Sequence, residues 1–336
     1  MDAVKQSVVR PQGSVDALVR LAAVDMTKVD ALITERMDSP VPVIPALAEH
    51  LIAAGGKRLR PLLTVAADRL AGGRGEHCLK LAAAVEFIHT ATLLHDDVVD
   101  GSQLRRGKVA AHLIWGGSSS VLVGDFLFAR AFELMVETGS LRALQILAKA
   151  SSVIAEGEVM QLTRSHDLNL DQATYIDIIR SKTAELFAAA AEAGAVAAGA
   201  PEPQIAALRT YGLNLGLAFQ LTDDALDYGG KTETLGKNAG DDFREGKATL
   251  PLLLAIARSG PREAEFWQRV IGELKQTESD FRRAHELIVG TGALEATLDL
   301  AADYAETAKV ALELFEDGEW RRSLEALADF AVTRVV

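Results

Sequence analysis

Two segments of the chain repeat one pattern of carboxylates, Asp96-Asp97-Val98-Val99-Asp100 and Asp223-Asp224-Ala225-Leu226-Asp227. On a helix, the first and last aspartates of each segment project from one face, and the second stands about 100° round from the first at ~3.6 residues per turn. Anions packed so densely are stable only beside cations. Hard Mg²⁺ prefers a few carboxylates plus substrate phosphate oxygens to a complete protein cage. The substrate is therefore expected to carry phosphate, and two facing carboxylate plates with a diphosphate between them is the economical picture. One D-D-x-x-D could be a solvated acidic helix end, but its recurrence at the end of a second apolar helix argues against chance. Neither segment has the alternating oxygen ligands of a calcium-binding loop.

Diphosphate also calls for direct cationic contacts. Arg105-Arg106 follows the first motif, and Lys57, Arg58 and Arg60 lie in Gly55-Gly56-Lys57-Arg58-Leu59-Arg60-Pro61. Arginine grips phosphate with two parallel hydrogen bonds. Taken singly, each basic group has a surface ion-pair cluster as its less favoured alternative. His89 on its own reads as a hydrogen-bonded core residue, and Glu158 and Gln161 as ordinary polar residues of a helix.

The elements that must position these residues are helices. Ala, Leu and Glu dominate, prolines number 9, and apolar residues recur at three-and-four spacing while strand signals are nearly absent. The pattern predicts helices at roughly 14–37, 41–54, 59–71, 76–99, 117–138, 140–165, 171–198, 203–228, 247–258, 262–275, 279–289, 293–315 and 318–333. Gly55-Gly56, Gly72-Gly73, Gly116-Gly117 and Gly229-Gly230 would supply the positive φ that ends a helix. Residues 1–13 read as a loose tail and 14–336 as a single all-helical domain, because no Pro-rich, Ser-rich or charged linker divides them.

A net charge of −12 would repel a nucleic-acid backbone, and no basic stripe offsets it. A lone cysteine, Cys78, excludes an internal disulfide and fits a cytoplasmic setting. Charged residues break up Met1–Arg20, which argues against a signal peptide, and Leu186–Ala200 is too short for a transmembrane segment and carries Glu192. The glycines near Lys237 and Lys247 lack the spacing of a nucleotide-binding loop.

Gly55–Pro61, Phe87–Asp96 and Phe219–Asp227, with Gly157-Glu158, Lys182-Thr183 and Gly246-Lys247, resemble the trans-isoprenyl diphosphate synthases, most of all the long-chain octaprenyl and polyprenyl members. That resemblance spans roughly residues 40–255. It implies an all-α helical bundle around a deep cavity and an active homodimer. It implies Mg²⁺ as cofactor, with Asp96 and Asp100, helped by Asp97, holding metal on the allylic prenyl diphosphate. Asp223, with Asp227 and beside Asp224, would hold a further ion from the opposite wall. Arg105 would touch the allylic diphosphate, and Lys57, Arg60, His89 and Arg106 the isopentenyl diphosphate. Lys182, Thr183 and Gln220 would line the allylic substrate and its cation, with Lys237 and Lys247 as further diphosphate contacts.

The implied reaction is ionisation of the allylic diphosphate, attack by the isopentenyl double bond and loss of a proton. Metal and fixed dipoles would do most of the work, without a covalent nucleophile. From Glu76 to Asp96 a helix covers about 30 Å at ~1.5 Å per residue, enough to wall a growing chain. Ala91 is small where many short-chain relatives carry an aromatic plug, and Phe87, Ile88, Phe132 or Met135 would stop the chain deeper down. A long-chain product, used for quinone side chains and released with transient membrane contact, follows from the resemblance. Farnesyl or geranylgeranyl synthesis, or a noncatalytic prenyltransferase subunit, are the alternatives that leave the motifs in place.

Overall fold

In the computed structural model, residues 15–53, 58–105, 107–229 and 240–334 are described. The architecture is all-α, as the periodicity predicts. The order is α1 Asp16–Arg36, α2 Val43–Ala53, α3 Leu59–Leu70 and α4 His77–Val99, then a two-residue strand pair, β1 Leu104–Arg105 and β2 Lys108–Val109. After it come α5 Ala111–Trp115, α6 Gly117–Glu137, α7 Leu141–Thr163, α8 Gln172–Ile179, α9 Glu185–Ala197 and α10 Glu202–Gly229. The remainder is α11 Asp241–Arg244, α12 Leu250–Arg258, α13 Pro261–Trp267, α14 Asp280–Gly290, α15 Ala293–Ala311 and α16 Glu319–Thr333.

The centre of the bundle is built from helices that are apolar almost all round, which is what burial on every side requires. In α4 the run from Cys78 to Ile88 is buried with the exception of Lys80, and α9 buries Leu186, Phe187 and its alanines up to Ala195. These helices pack with α3, α6 and α10, while α15 and α16 close the bundle on the far side of α10. A satellite core of Tyr228, Phe243, Trp267 and Ile288 sits under the segment from α11 to α15.

Where the structure departs from the expected boundaries, the cause is local. The helix expected over 171–198 is interrupted by a π-helical turn, Arg180–Ala184, which inserts one residue into the ladder without a glycine or proline to announce it. A second π turn, Gln268–Gly272, ends the helix expected over 262–275, and Leu274 beyond it has φ 52°. Expected at 247, the helix before Arg258 starts instead at Leu250, with Pro251 in its first turn where a missing N–H costs nothing. Gly72 and Gly116 do take positive φ. Gly55, Gly56 and Gly230 lie outside the described residues, while Gly229 ends α10.

Candidate active site

Both aspartate motifs end central helices, α4 and α10, and both open on one cleft of about 540 Å³. Asp96 and Asp100 line it from the first wall; Asp223, Asp224 and Asp227 line it from the second. Within the first motif the 100° helical offset separates the roles. Asp97 is buried and accepts a hydrogen bond from Arg105 Nε at 2.8 Å, so this pair fixes the β1 turn to the end of α4. Asp97 does not line the cleft, whereas Arg105 does.

In the second motif exposure divides the aspartates. The Asp223 side chain is 45% exposed, whereas Asp224 and Asp227 are buried. Asp224 is held by the Tyr175 hydroxyl and by Gln220 Nε2 at 2.8 Å. Asp227 Oδ2 accepts from the backbone N–H of Asp242 at 3.1 Å, and so ties down the start of α11. Burial, reinforced by nearby Asp242, pushes the Asp224 carboxyl up to about 8.

Lys182 and Thr183 reach the cleft from the π turn. At this point α7 comes so close that a Cβ on Gly157 would lie 2.8 Å from the Lys182 backbone nitrogen, so only glycine fits. The next residue, Glu158, accepts from Lys182 Nζ at 2.7 Å, and Lys182 stands 4.0 Å from Asp96. On the opposite side Gly216 of α10 packs on Ala184, where a Cβ would meet its Cα at 2.6 Å. One turn further along α10, Gln220 Oε1 accepts from the Thr183 hydroxyl at 2.8 Å. The amide of Gln220 is thereby oriented at both ends, by Thr183 and by Asp224.

Basic side chains cross between the walls. Lys247 Nζ lies 3.0 Å from Asp100 Oδ2, carried there by the non-helical stretch before α12. Burial works to lower its pKa, but Asp242, Asp100 and Glu245 together hold it above the usual lysine range. Arg60 reaches His89 Nε2 at 3.1 Å and stacks 4.3 Å from the Phe187 ring. Arg58, at φ 44°, pairs with Asp30 at 3.0 Å and Glu86 at 3.4 Å. Arg334, just past α16, lies 2.8 Å from Asp223. Even so, burial above all, with Glu158 and Asp100 adding to it and Lys182 opposing, pushes the Asp96 carboxyl up to about 7.

The cleft thus gathers Asp96, Asp100, Asp223, Asp224, Asp227, Lys182, Thr183, Gln220, Arg60, His89, Arg105 and Lys247. Lys57, Arg106 and Lys237 lie outside the described residues. The expected chain-length wall is placed elsewhere. Phe87, Ile88, Ala91 and Met135 are fully packed in the main core and do not line this cleft, and Phe132 is 42% exposed on the outer face of α6. On α4, the residues that line the cleft above Asp96 are Leu93, Thr92, His89 and Glu86. Tyr175, Asp242 and Arg334 also belong to the site. Sequence spacing carries no sign of them, because each reaches the motifs from a distant segment.

A divalent ion fits this donor set. Among the described residues no three His, Cys, Asp or Glu side chains close on a single ion. Mg²⁺ needs only one or two carboxylates, such as Asp96 and Asp100, and completes its shell with water and phosphate. Asp96 held so far from its ordinary range is a carboxylate short of positive charge, which such an ion would supply.

A family model described as polyprenyl synthetase matches residues 41–288. Octaprenyl diphosphate synthase of Escherichia coli (strain K12) is 44% identical over 321 residues, covering 96% of this chain and 99% of that protein. Among solved structures, a polyprenyl synthase from Caulobacter crescentus CB15, complexed with calcium and isoprenyl diphosphate, superposes with TM-score 0.95 at 77% identity, over 97% of this chain and 100% of that one. A decaprenyl diphosphate synthase from Rhodobacter capsulatus gives TM-score 0.92 at 53% identity, over 96% and 100%.

Proposed function

The chain belongs to the polyprenyl synthetase family, and from that premise we propose that it is a long-chain all-trans-polyprenyl diphosphate synthase. It condenses isopentenyl diphosphate repeatedly onto an allylic diphosphate. The observation that carries this reading is the meeting of two aspartate motifs and several basic side chains in one cleft. Octaprenyl and decaprenyl synthases among its relatives support the long product.

In this account Asp96 and Asp100 would hold Mg²⁺ for the allylic diphosphate, and Asp223 would hold a further ion from the opposite wall. When bound, the ion neutralises charge on the departing diphosphate. Lys182 and Lys247, already beside the first motif, bind the same diphosphate, and Arg105 joins them while anchoring Asp97. Arg60 and His89, with Lys57 and Arg106, take the isopentenyl diphosphate. Thr183 and Gln220 present fixed hydroxyl and amide dipoles to the allylic carbon as positive charge develops there, so reorganisation during the reaction is small. The chain then grows alongside α4.

No helix among the described residues is long and apolar enough to cross a membrane, which accords with work in the cytoplasm and transient membrane contact when product leaves. Leu122, Phe132 and Val136 form an exposed apolar stripe on α6, which accords with a homodimer joined through that face. Quinone side chains are the proposed use of the product.

The test is to incubate protein, Mg²⁺ and labelled isopentenyl diphosphate with farnesyl or geranylgeranyl diphosphate, then separate the dephosphorylated products by length. Long polyprenols are expected. A stop after one addition would favour a short-chain synthase, and no extension with any primer a noncatalytic subunit.

A further inference from the structure

We propose that Arg334 is a built-in counter-ion of the second aspartate wall, holding Asp223 in the metal-free protein and yielding it when a divalent cation binds. The inference rests on the metal-binding role given to Asp223 above. Arg334 comes from the end of α16, 111 residues away in sequence, and it meets a prepared seat. One terminal nitrogen, Nη1, is 2.8 Å from Asp223 Oδ1, and the other, Nη2, donates to the Phe219 carbonyl at 2.6 Å. Its Nε donates to the Ala331 carbonyl at 3.1 Å, and the guanidinium lies 3.7 Å from the Phe219 ring centroid.

A surface ion pair would not be organised in this way. Only 16% of the Arg334 side chain is exposed, although the carboxylate it holds is the most accessible of the second motif. Phe219 and Asp223 are four residues apart on α10, so one helical face supplies ring, carbonyl and carboxylate together. The first wall is balanced in a similar way, by Lys182 and Lys247, but those two cations already sit among other carboxylates, Glu158 and Glu245. Arg334 sits on Asp223. A divalent ion needs the same oxygen, and two cations on one carboxylate oxygen repel, so the ion and the guanidinium compete. If Arg334 holds Asp223 in about nine molecules of ten, the apparent metal affinity of that wall is lowered about tenfold.

The test titrates Mn²⁺ into the full chain carrying Asp96→Asn and Asp100→Asn, so that the second wall is read alone, and follows free Mn²⁺ by its electron paramagnetic resonance signal. Adding Arg334→Gln should tighten binding about tenfold, and Arg334→Lys should restore the weaker binding. Each variant is matched to its parent by circular dichroism. If Arg334→Gln does not fold, Phe219→Leu, which removes the ring beneath the guanidinium, should tighten binding in the same direction. Unchanged Mn²⁺ affinity in the folded variant, or an equal gain when Asp223 is also Asn, overturns the proposal. Product formation is scored separately, on the chain with Asp96 and Asp100 intact. Chain extension without the affinity change sinks only the counter-ion, whereas the affinity change without any extension sinks the synthase reading.

Discussion

Replacing Asp96 with Asn should make the metal-free protein more stable, with the full gain at pH 8 and only a small part of it at pH 4.5. The Asp96 carboxyl, 17% exposed, is pushed up to about 7, first by burial and then by Glu158 and Asp100. In the unfolded chain an aspartate titrates near ~3.9. Between those pH values the folded chain keeps a proton that the unfolded chain has released. More protons are then bound folded than unfolded, and stability falls as pH rises through that window. Below about pH 4 both states are protonated and the effect vanishes; above about pH 7 it is complete. Three pH units at about 1.36 kcal/mol each set an upper bound of about 4 kcal/mol. For a chain of this size that corresponds to a melting-temperature difference of at most about 8 °C. Scanning fluorimetry in EDTA from pH 4.5 to 8 reads the difference between the two proteins. Magnesium with inorganic pyrophosphate should then raise the wild type more than the variant, because the ion supplies the charge that Asp96 lacks. A wild-type-minus-variant difference that does not change with pH would refute the reasoning.

Further substitutions separate metal, tunnel and scaffold. Asp96→Ala or Asp223→Ala should each lower kcat by roughly 10²-fold or more, the scale of losing one preorganised electrostatic contact, with helical content unchanged by circular dichroism. Leu93→Phe, on the face of α4 that lines the cleft, should shorten the polyprenols resolved by chromatography, and an unchanged product distribution would remove that face from the tunnel wall. Ala91 is fully packed in the core, so Ala91→Phe should lose about 1–3 kcal/mol of stability in a urea melt. Gly157→Ala places a methyl against the Lys182 backbone. It should raise KM for the allylic diphosphate more than that for isopentenyl diphosphate, and equal effects would dissociate the π turn from allylic binding.

The parts of this molecule that were legible in the sequence are those whose chemistry depends on spacing along one helix. The two D-D-x-x-D segments and the long apolar runs of α4 and α10 are of this kind, since period and residue type report directly on face and burial. The same helical arithmetic sets Asp97 about 100° away from Asp96, but that it turns onto Arg105 depends on where β1 lies. The π turn was not legible. Its segment, Arg180–Ala184, contains no glycine or proline, and the glycine that accommodates it, Gly157, is on another helix. Tyr175 with Asp224, and Arg334 with Asp223, are joined only by the tertiary fold. The expectation for the chain-length wall rested on helical position and, at Ala91, on the family resemblance, and neither says whether Phe87, Ala91 and Met135 meet the cleft or the packed core.

The most direct measurement is a crystal of the protein with Mn²⁺, isopentenyl diphosphate and an unreactive allylic thiodiphosphate, with metal located by anomalous scattering. The account predicts Mn²⁺ between Asp96, Asp100 and the allylic diphosphate and further Mn²⁺ on Asp223, with Arg334 displaced from that carboxylate. Metal bound away from both aspartate motifs, or an allylic diphosphate seated outside the cleft between them, would contradict it.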